Sequence, residues 1–191
     1  MVERLAEEGE LKIKGVAFDT LYGRSVWLRR KLATNGLLYM GEVPVNTTVY
    51  LSEPKVSWSG RKQQKQEVSG AQAKSARELA EEERGGWERI RVRATERGYL
   101  EDEFWAVRVW TLGSEESAAQ EEWLVGRREE NGRVSYGLSN AAEETSLGEL
   151  AGMKCERHFI ECSNQEAKSE LGWDELRVRT RTCRTTRRSM R

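Results

Sequence analysis

Residues 11–44 read LKIKGVAFDTLYGRSVWLRRKLATNGLLYMGEVP, and the parsing of this stretch decides the fold. LKIKGVAFD alternates and then turns continuously apolar through Val16, Ala17 and Phe18, the pattern of an interior strand. It stops on Asp19, and TLYG follows as a turn. RSVWLRRKLATNG reads as a helix led by Val26, Trp27 and Leu28, with Leu32 and Ala33 inward and Gly36 closing it. LLYMGEVP is a second short apolar strand, broken by Pro44. Strand, helix, strand over so short a span is most simply a parallel crossover. Sheets of this kind gather their chemistry at the carboxyl ends of strands, which is where Asp19 stands. Taken alone, the same residue reads as a turn-former that caps the next helix.

Upstream, VERLAEEG has the look of the last turns of a helix. Downstream, from Val45 to about Arg84, the order weakens into an extended polar stretch, a piece poor in apolar residues (SGRKQQKQEVSG) and a polar helix (AKSARELAEEER). Arg61, Lys62 and Lys65 make a basic piece that suits either a phosphate backbone or a solvated loop. WERIRVRA, FWAVRVW, EEWLVGRRE and VSYGLSN then alternate or are rich in aromatics, and Asn131-Gly132 supplies a hairpin signal between the last two. Trp87, Trp105, Trp110 and Trp123 weight this sheet; one of them stacking on a base is conceivable, but aromatics in a small sheet are more often core.

Residues 146–172, SLGELAGMKCERHFIECSNQEAKSELG, read as one long helix. Ser146 and Glu149 form a capping box, Gly172 is a stop, and no proline intervenes. On a helical wheel Arg157, Glu161 and Lys168 fall together, beside a stripe of Met153, Ile160, Ala167 and Leu171. Glu161 therefore sits at the margin of the core stripe, where an acid flanked by cations suits work on a metal or a phosphate. Periodicity alone also reads Arg157 with Glu161 as an ordinary i, i+4 pair. The fold class expected from all of this is α/β, with α/β segments at both ends and a mostly antiparallel β insertion between them.

Charged residues make up 34% of the 191 residues and apolar ones 37%, so the core is thin. The formal net charge of zero hides an uneven distribution: after Glu175 no acid remains, and seven arginines crowd residues 177–191. Such a tail reads as disordered and drawn to polyanions, or as merely solvated. No run of about eighteen apolar residues exists, so no membrane span is expected. The acidic start lacks an apolar signal core. Cys155, Cys162 and Cys183 have no disulfide spacing, which fits a reducing cytosol. Cys155, His158 and Cys162 share a helix face, yet a zinc site lacks a fourth ligand.

Two separated pieces resemble the DDE transposases of bacterial insertion sequences, whose catalytic domain shares the ribonuclease-H-like fold with retroviral integrases. GVAFDTLYG with WLRRKLATNGLLYMGEVP looks like the family's second-aspartate strand, its D-x-x-Y-G turn, and the helix and strand that follow. Arg157, three residues, Glu161, six residues, Lys168 and then SELGWD resemble the family's final catalytic helix, and YGLSNAAEETSLGELA resembles the segment leading into it. The resemblance implies a ribonuclease-H-like part at 1–44, a loop and β-rich insertion at 45–140, the helix with the catalytic Glu at 141–176, and a basic tail at 177–191.

It further implies Mg²⁺-dependent (or Mn²⁺-dependent) DNA cleavage and strand transfer. Asp19 and Glu161 would be two of three carboxylates on a pair of divalent cations. Arg157 and Lys168 would orient the acid or contact DNA phosphates, with Tyr22, Arg61 and Lys62 as further DNA contacts. Partners would be the transposon ends and target DNA, with a full-length transposase as a dimer partner, in a bacterial or archaeal cytoplasm. The departures are equally specific. No Asp precedes Asp19 to serve as the family's first aspartate, Lys154 replaces a tyrosine three residues before the arginine, and TRTCRTTRRSMR replaces the family's Trp-Gly-Trp-like continuation. The expectation is a truncated copy, inactive alone. The alternative is a non-catalytic DNA-binding or inert remnant.

Overall fold

The computed structural model describes residues 15–59, 65–82, 86–95, 98–114 and 116–170, without the side chains of residues 65, 95, 158 and 161–170. A compact unit extends to Arg157, and a second unit begins at His158. The chain is mixed α/β, and most of its core is sheet.

β1 (Val16–Phe18) lies parallel to β2 (Tyr39–Val43), with Val16 opposite Tyr39 and Phe18 opposite Gly41. The crossover carries α1 (Thr20–Gly23) and α2 (Val26–Thr34). Ser25 caps α2 by accepting from Leu28 N at 3.3 Å. The other end is a Schellman closure: Gly36 adopts φ 69°, its N–H donates to Ala33 O and that of Leu37 to Leu32 O. A residue with a Cβ is strained at that φ, which is why glycine ends the helix.

β3 (Thr48–Tyr50), β6 (Ala73–Ser75), β7 (Glu88–Thr95), β8 (Gly98–Thr111), β9 (Gln120–Arg128) and β10 (Val134–Ser139) complete the main sheet, ordered β1-β2-β10-β9-β8-β3-β6 with β7 against β8. β10 pairs antiparallel with β2, Tyr136 opposite Val43 and Ser139 opposite Met40. The β-rich segment after Pro44 is thus hydrogen-bonded into the sheet that the parallel crossover begins. β4 (Lys55–Ser59) and β5 (Lys65–Ser69) form a separate two-stranded ribbon with Val56 opposite Val68. Its low apolar content hid it in the sequence, since main-chain bonds rather than side-chain burial hold such a ribbon.

Helices cover both faces of the sheet. α2 packs Leu32 on Phe18 and Tyr39, and α3 (Ala76–Glu82) packs Ala76, Leu79 and Ala80 with Val43, Leu124 and Leu138. The opposite face, reached by the alternate residues Met40 and Val125, is covered by Leu150 at the start of α4 (Leu147–Glu170). Both helices after loops begin with a capping box. Ser75 exchanges bonds with Glu78, and Ser146 N donates to Glu149 Oε2 at 2.9 Å while Glu149 N donates to Ser146 Oγ at 3.3 Å.

One expectation for α4 is corrected. The inward stripe was placed on Met153, Ile160, Ala167 and Leu171, yet Ile160 is 56% exposed, and Leu150, Ala151, Lys154 and Cys155 are the buried positions. Small residues and the aliphatic stem of Lys154 let the helix lie close to the sheet, a packing invisible to a wheel that counts only large apolar side chains. Ala167 has no described side chain, and Leu171 and the stop at Gly172 lie outside the described residues.

Candidate functional site

Asp19 follows the last residue of β1 with an extended backbone (φ −78°, ψ 178°) and caps α1. Its Oδ1 accepts from Leu21 N at 3.0 Å and Tyr22 N at 3.3 Å; Oδ2 takes no part in either bond. The capping role inferred from the sequence is therefore real, and it leaves one oxygen for other work. Gly23, at the end of the same turn, lies against β2: a Cβ there would stand 1.7 Å from Glu42 O, so only glycine allows this approach. The parallel register that sets Phe18 opposite Gly41 brings Asp19 level with Glu42.

Glu42 shares the face of β2 that α4 covers. Its Oε1 accepts from Lys154 Nζ at 3.2 Å and its Oε2 from Arg157 Nη1 at 3.2 Å. Lys154 Nζ also donates to Tyr136 O at 3.1 Å. Burial drives the pKa of this lysine below its ordinary value, and the Glu42 carboxylate opposes that shift. Lys154, which stands where the resembling family has a tyrosine, thus ties α4 to β2 and β10.

The turn that carries Asp19 is anchored from behind by a second set of residues. Arg29 on α2 donates to the carbonyl of Gly23, and its Nε donates to Glu122 Oε1 at 2.8 Å. Glu122 also accepts from the Tyr39 hydroxyl at 2.5 Å and from the Thr111 hydroxyl. Arg29 is 2% exposed and Glu122 not at all. Burial and the Glu122 charge raise the Tyr39 pKa far above the ordinary phenol value, so Tyr39 remains a donor.

The sequence reading named neither Glu42 nor this buried set. A signal existed in each case: a lone glutamate in the apolar strand YMGEV, and another before the apolar run WLVG. Of the residues it did name, Asp19 and Arg157 both reach the Glu42 end of β2, Asp19 through strand register and Arg157 by a direct bond. Tyr22 is 57% exposed beside the Asp19 cap. Glu161 and Lys168 continue the helical backbone of α4, without described side chains, while Arg61, Lys62 and residues 177–191 lie outside the described residues.

Among the described residues no group of three or more His, Cys, Asp and Glu is gathered for a metal. The tryptophans suspected of base stacking are engaged. Trp105 is 3% exposed and stacks with Trp87, and Trp123 donates Nε1 to Ala142 O at 3.0 Å beneath the Arg108 guanidinium. Among the described residues no helix is long and apolar enough to cross a membrane. Comparison of the chain with family models, with curated proteins and with solved structures finds no match in any of the three.

Proposed function

We propose that the chain carries part of the catalytic domain of a DDE-type DNA transposase of ribonuclease-H-like fold. The observation that carries this reading is the convergence at the end of β2. A parallel crossover brings Asp19 level with Glu42, and Glu42 holds Arg157, the arginine of the Arg-x3-Glu-x6-Lys spacing. Glu161 follows Arg157 by one helical turn, and by period it shares the direction of Leu150 and Lys154. The substrate of such a corner is a DNA phosphodiester.

In this reading Asp19 and Glu161 hold divalent cations. The free Oδ2 of Asp19 suits a hard ion such as Mg²⁺ or Mn²⁺, which prefers oxygen ligands. When bound, a pair of such ions activates the attacking oxygen and stabilises the leaving one in an in-line displacement. The chain's own residues do the positioning. Asp19 is fixed by its cap, the cap by α1, and α1 by Arg29 through the Gly23 carbonyl. Glu42 fixes Arg157, which then orients the acid or meets a phosphate. With no Asp before Asp19, the set supplies two carboxylates rather than three.

The test separates cap from ligand. Asn caps a helix about as well as Asp, so Asp19→Asn should leave stability within about 0.5 kcal/mol while removing a charged ligand. We expect the intact chain to bind Mn²⁺ measurably, by paramagnetic relaxation of water protons, and Asp19→Asn and Glu161→Gln each to weaken that binding. Equal Mn²⁺ binding by all three proteins would end this reading.

A further inference from the structure

Away from the Asp19 corner, a cleft of about 590 Å³ opens between α3 and the face of the sheet formed by β9 and β10. Its size falls in the range of small-molecule sites. Apolar side chains, Val45 among them, line part of it. The polar groups that line it are mostly donors. Arg77 comes from α3, Arg128 from the end of β9, Tyr136 from β10 and Trp87 from the segment before β7, with Glu81 as the one acid.

Three features mark it as built for an anion. The indole Nε1 of Trp87 is buried and has no acceptor among the described residues. A buried donor without a partner is costly, by about 1–3 kcal/mol, and so calls for an acceptor from outside the chain. Next, the Arg128 guanidinium lies 4.1 Å from the centre of the Trp87 ring and is held by Glu103 at 2.8 Å. It is thus positioned before any ligand arrives. Finally, Tyr136 is buried, and the charges of Arg77, Glu81 and Arg128 all act on its phenol. Two guanidinium groups against one carboxylate leave the cleft a net positive charge.

We propose that this cleft binds a small organic anion, with Arg77 and Arg128 on its oxyanion head, the Trp87 N–H as a fixed donor, and the apolar wall against its body. The ring of Trp87 is already stacked with Trp105 and covered by Arg128, so it offers its N–H edge rather than a face for a base. Arginine pairs bidentately with both carboxylate and phosphate, and the geometry fits either head group. The site needs none of the residues proposed for DNA cleavage.

The experiment follows the Trp87 indole N–H resonance of the ¹⁵N-labelled full chain, assigned with Trp87→Phe. Inorganic phosphate and benzoate are titrated separately, with sodium chloride at matched ionic strength as the control. A saturable shift with phosphate or with benzoate, beyond that of chloride, is expected, and which of them saturates identifies the head group. Arg77 is exposed, so Arg77→Met should keep the other indole resonances in place and weaken binding about tenfold, the worth of one charge-assisted hydrogen bond. A shift no larger than that with chloride, or one unchanged in Arg77→Met, would overturn the assignment.

Discussion

Two glutamates on neighbouring stretches of one sheet meet their cations in opposite ways. Glu122 is wholly buried, and both its oxygens are saturated by Arg29, Tyr39 and Thr111. Glu42 is one-third exposed, and it shares its two oxygens between a buried lysine and an arginine that is itself 34% exposed. The first arrangement is closed, with every donor and acceptor answered inside the protein. Such a set rigidifies its surroundings and does nothing else. The second is open on one side, so Arg157 has a fixed root and an accessible head. A chain of contacts joins the two, since Arg29 grips the Gly23 carbonyl and Gly23 touches Glu42.

Breaking the closed set should have the largest effect. Glu122→Ala strands the Arg29 charge in the interior and should lower unfolding stability by about 3–5 kcal/mol, much of what a domain this size has. Urea unfolding followed by tryptophan emission measures it. A loss below about 1 kcal/mol would mean water reaches Arg29 and the contrast is false.

Glu42→Gln tests the open set. The amide keeps one acceptor for Lys154 or Arg157, and Lys154 can relieve its loss by releasing a proton, so about 1–2 kcal/mol is expected. The same urea series ranks it against Glu122→Ala, and an equal or larger loss would invert the comparison.

The smallest effect is one of pH, and it sharpens the picture of the α4 face. Burial raises the Cys155 thiol from 9.0 to about 11. Below pH 9 the thiol is protonated in both folded and unfolded chains, and its contribution is whole. Between pH 9 and 11 the unfolded chain ionises first, so stability falls, by at most about 1.4 kcal/mol per pH unit. Lys154, with its lowered pKa, acts in the opposite direction, and Tyr39, with its raised one, in the same direction. The difference between the intact chain and Cys155→Ala therefore isolates the thiol. Parallel stability curves for the two proteins from pH 8 to 11 would show Cys155 to be solvated.

Local features were legible wherever a short-range rule governs them. Val16–Phe18 reads as a buried strand from its apolar run, and Gly36 as a helix stop from its left-handed closure. Ser146 reads as a helix start because the Glu149 carboxylate reaches back to it. Ile160 failed because the wheel weighs apolar size, whereas α4 buries alanine, cysteine and a lysine stem against the sheet. The β4–β5 ribbon failed for a related reason, as it is held by main-chain pairing. Asp19 and Arg157 were legible as candidates through spacing, but their convergence on Glu42 was not.

The sequence by itself determined the parallel crossover, the caps and the identity of the acids and cations near them, because these follow from contacts within a few residues. Only the tertiary structure decided that Glu42 anchors Arg157 and that Glu122 anchors Arg29. It also decided that the segment after Pro44 joins the same sheet. Those partners lie up to 115 residues apart in the chain. Charge and polarity carry no record of which distant partner will satisfy them until strand order and helix packing bring the groups within hydrogen-bonding distance.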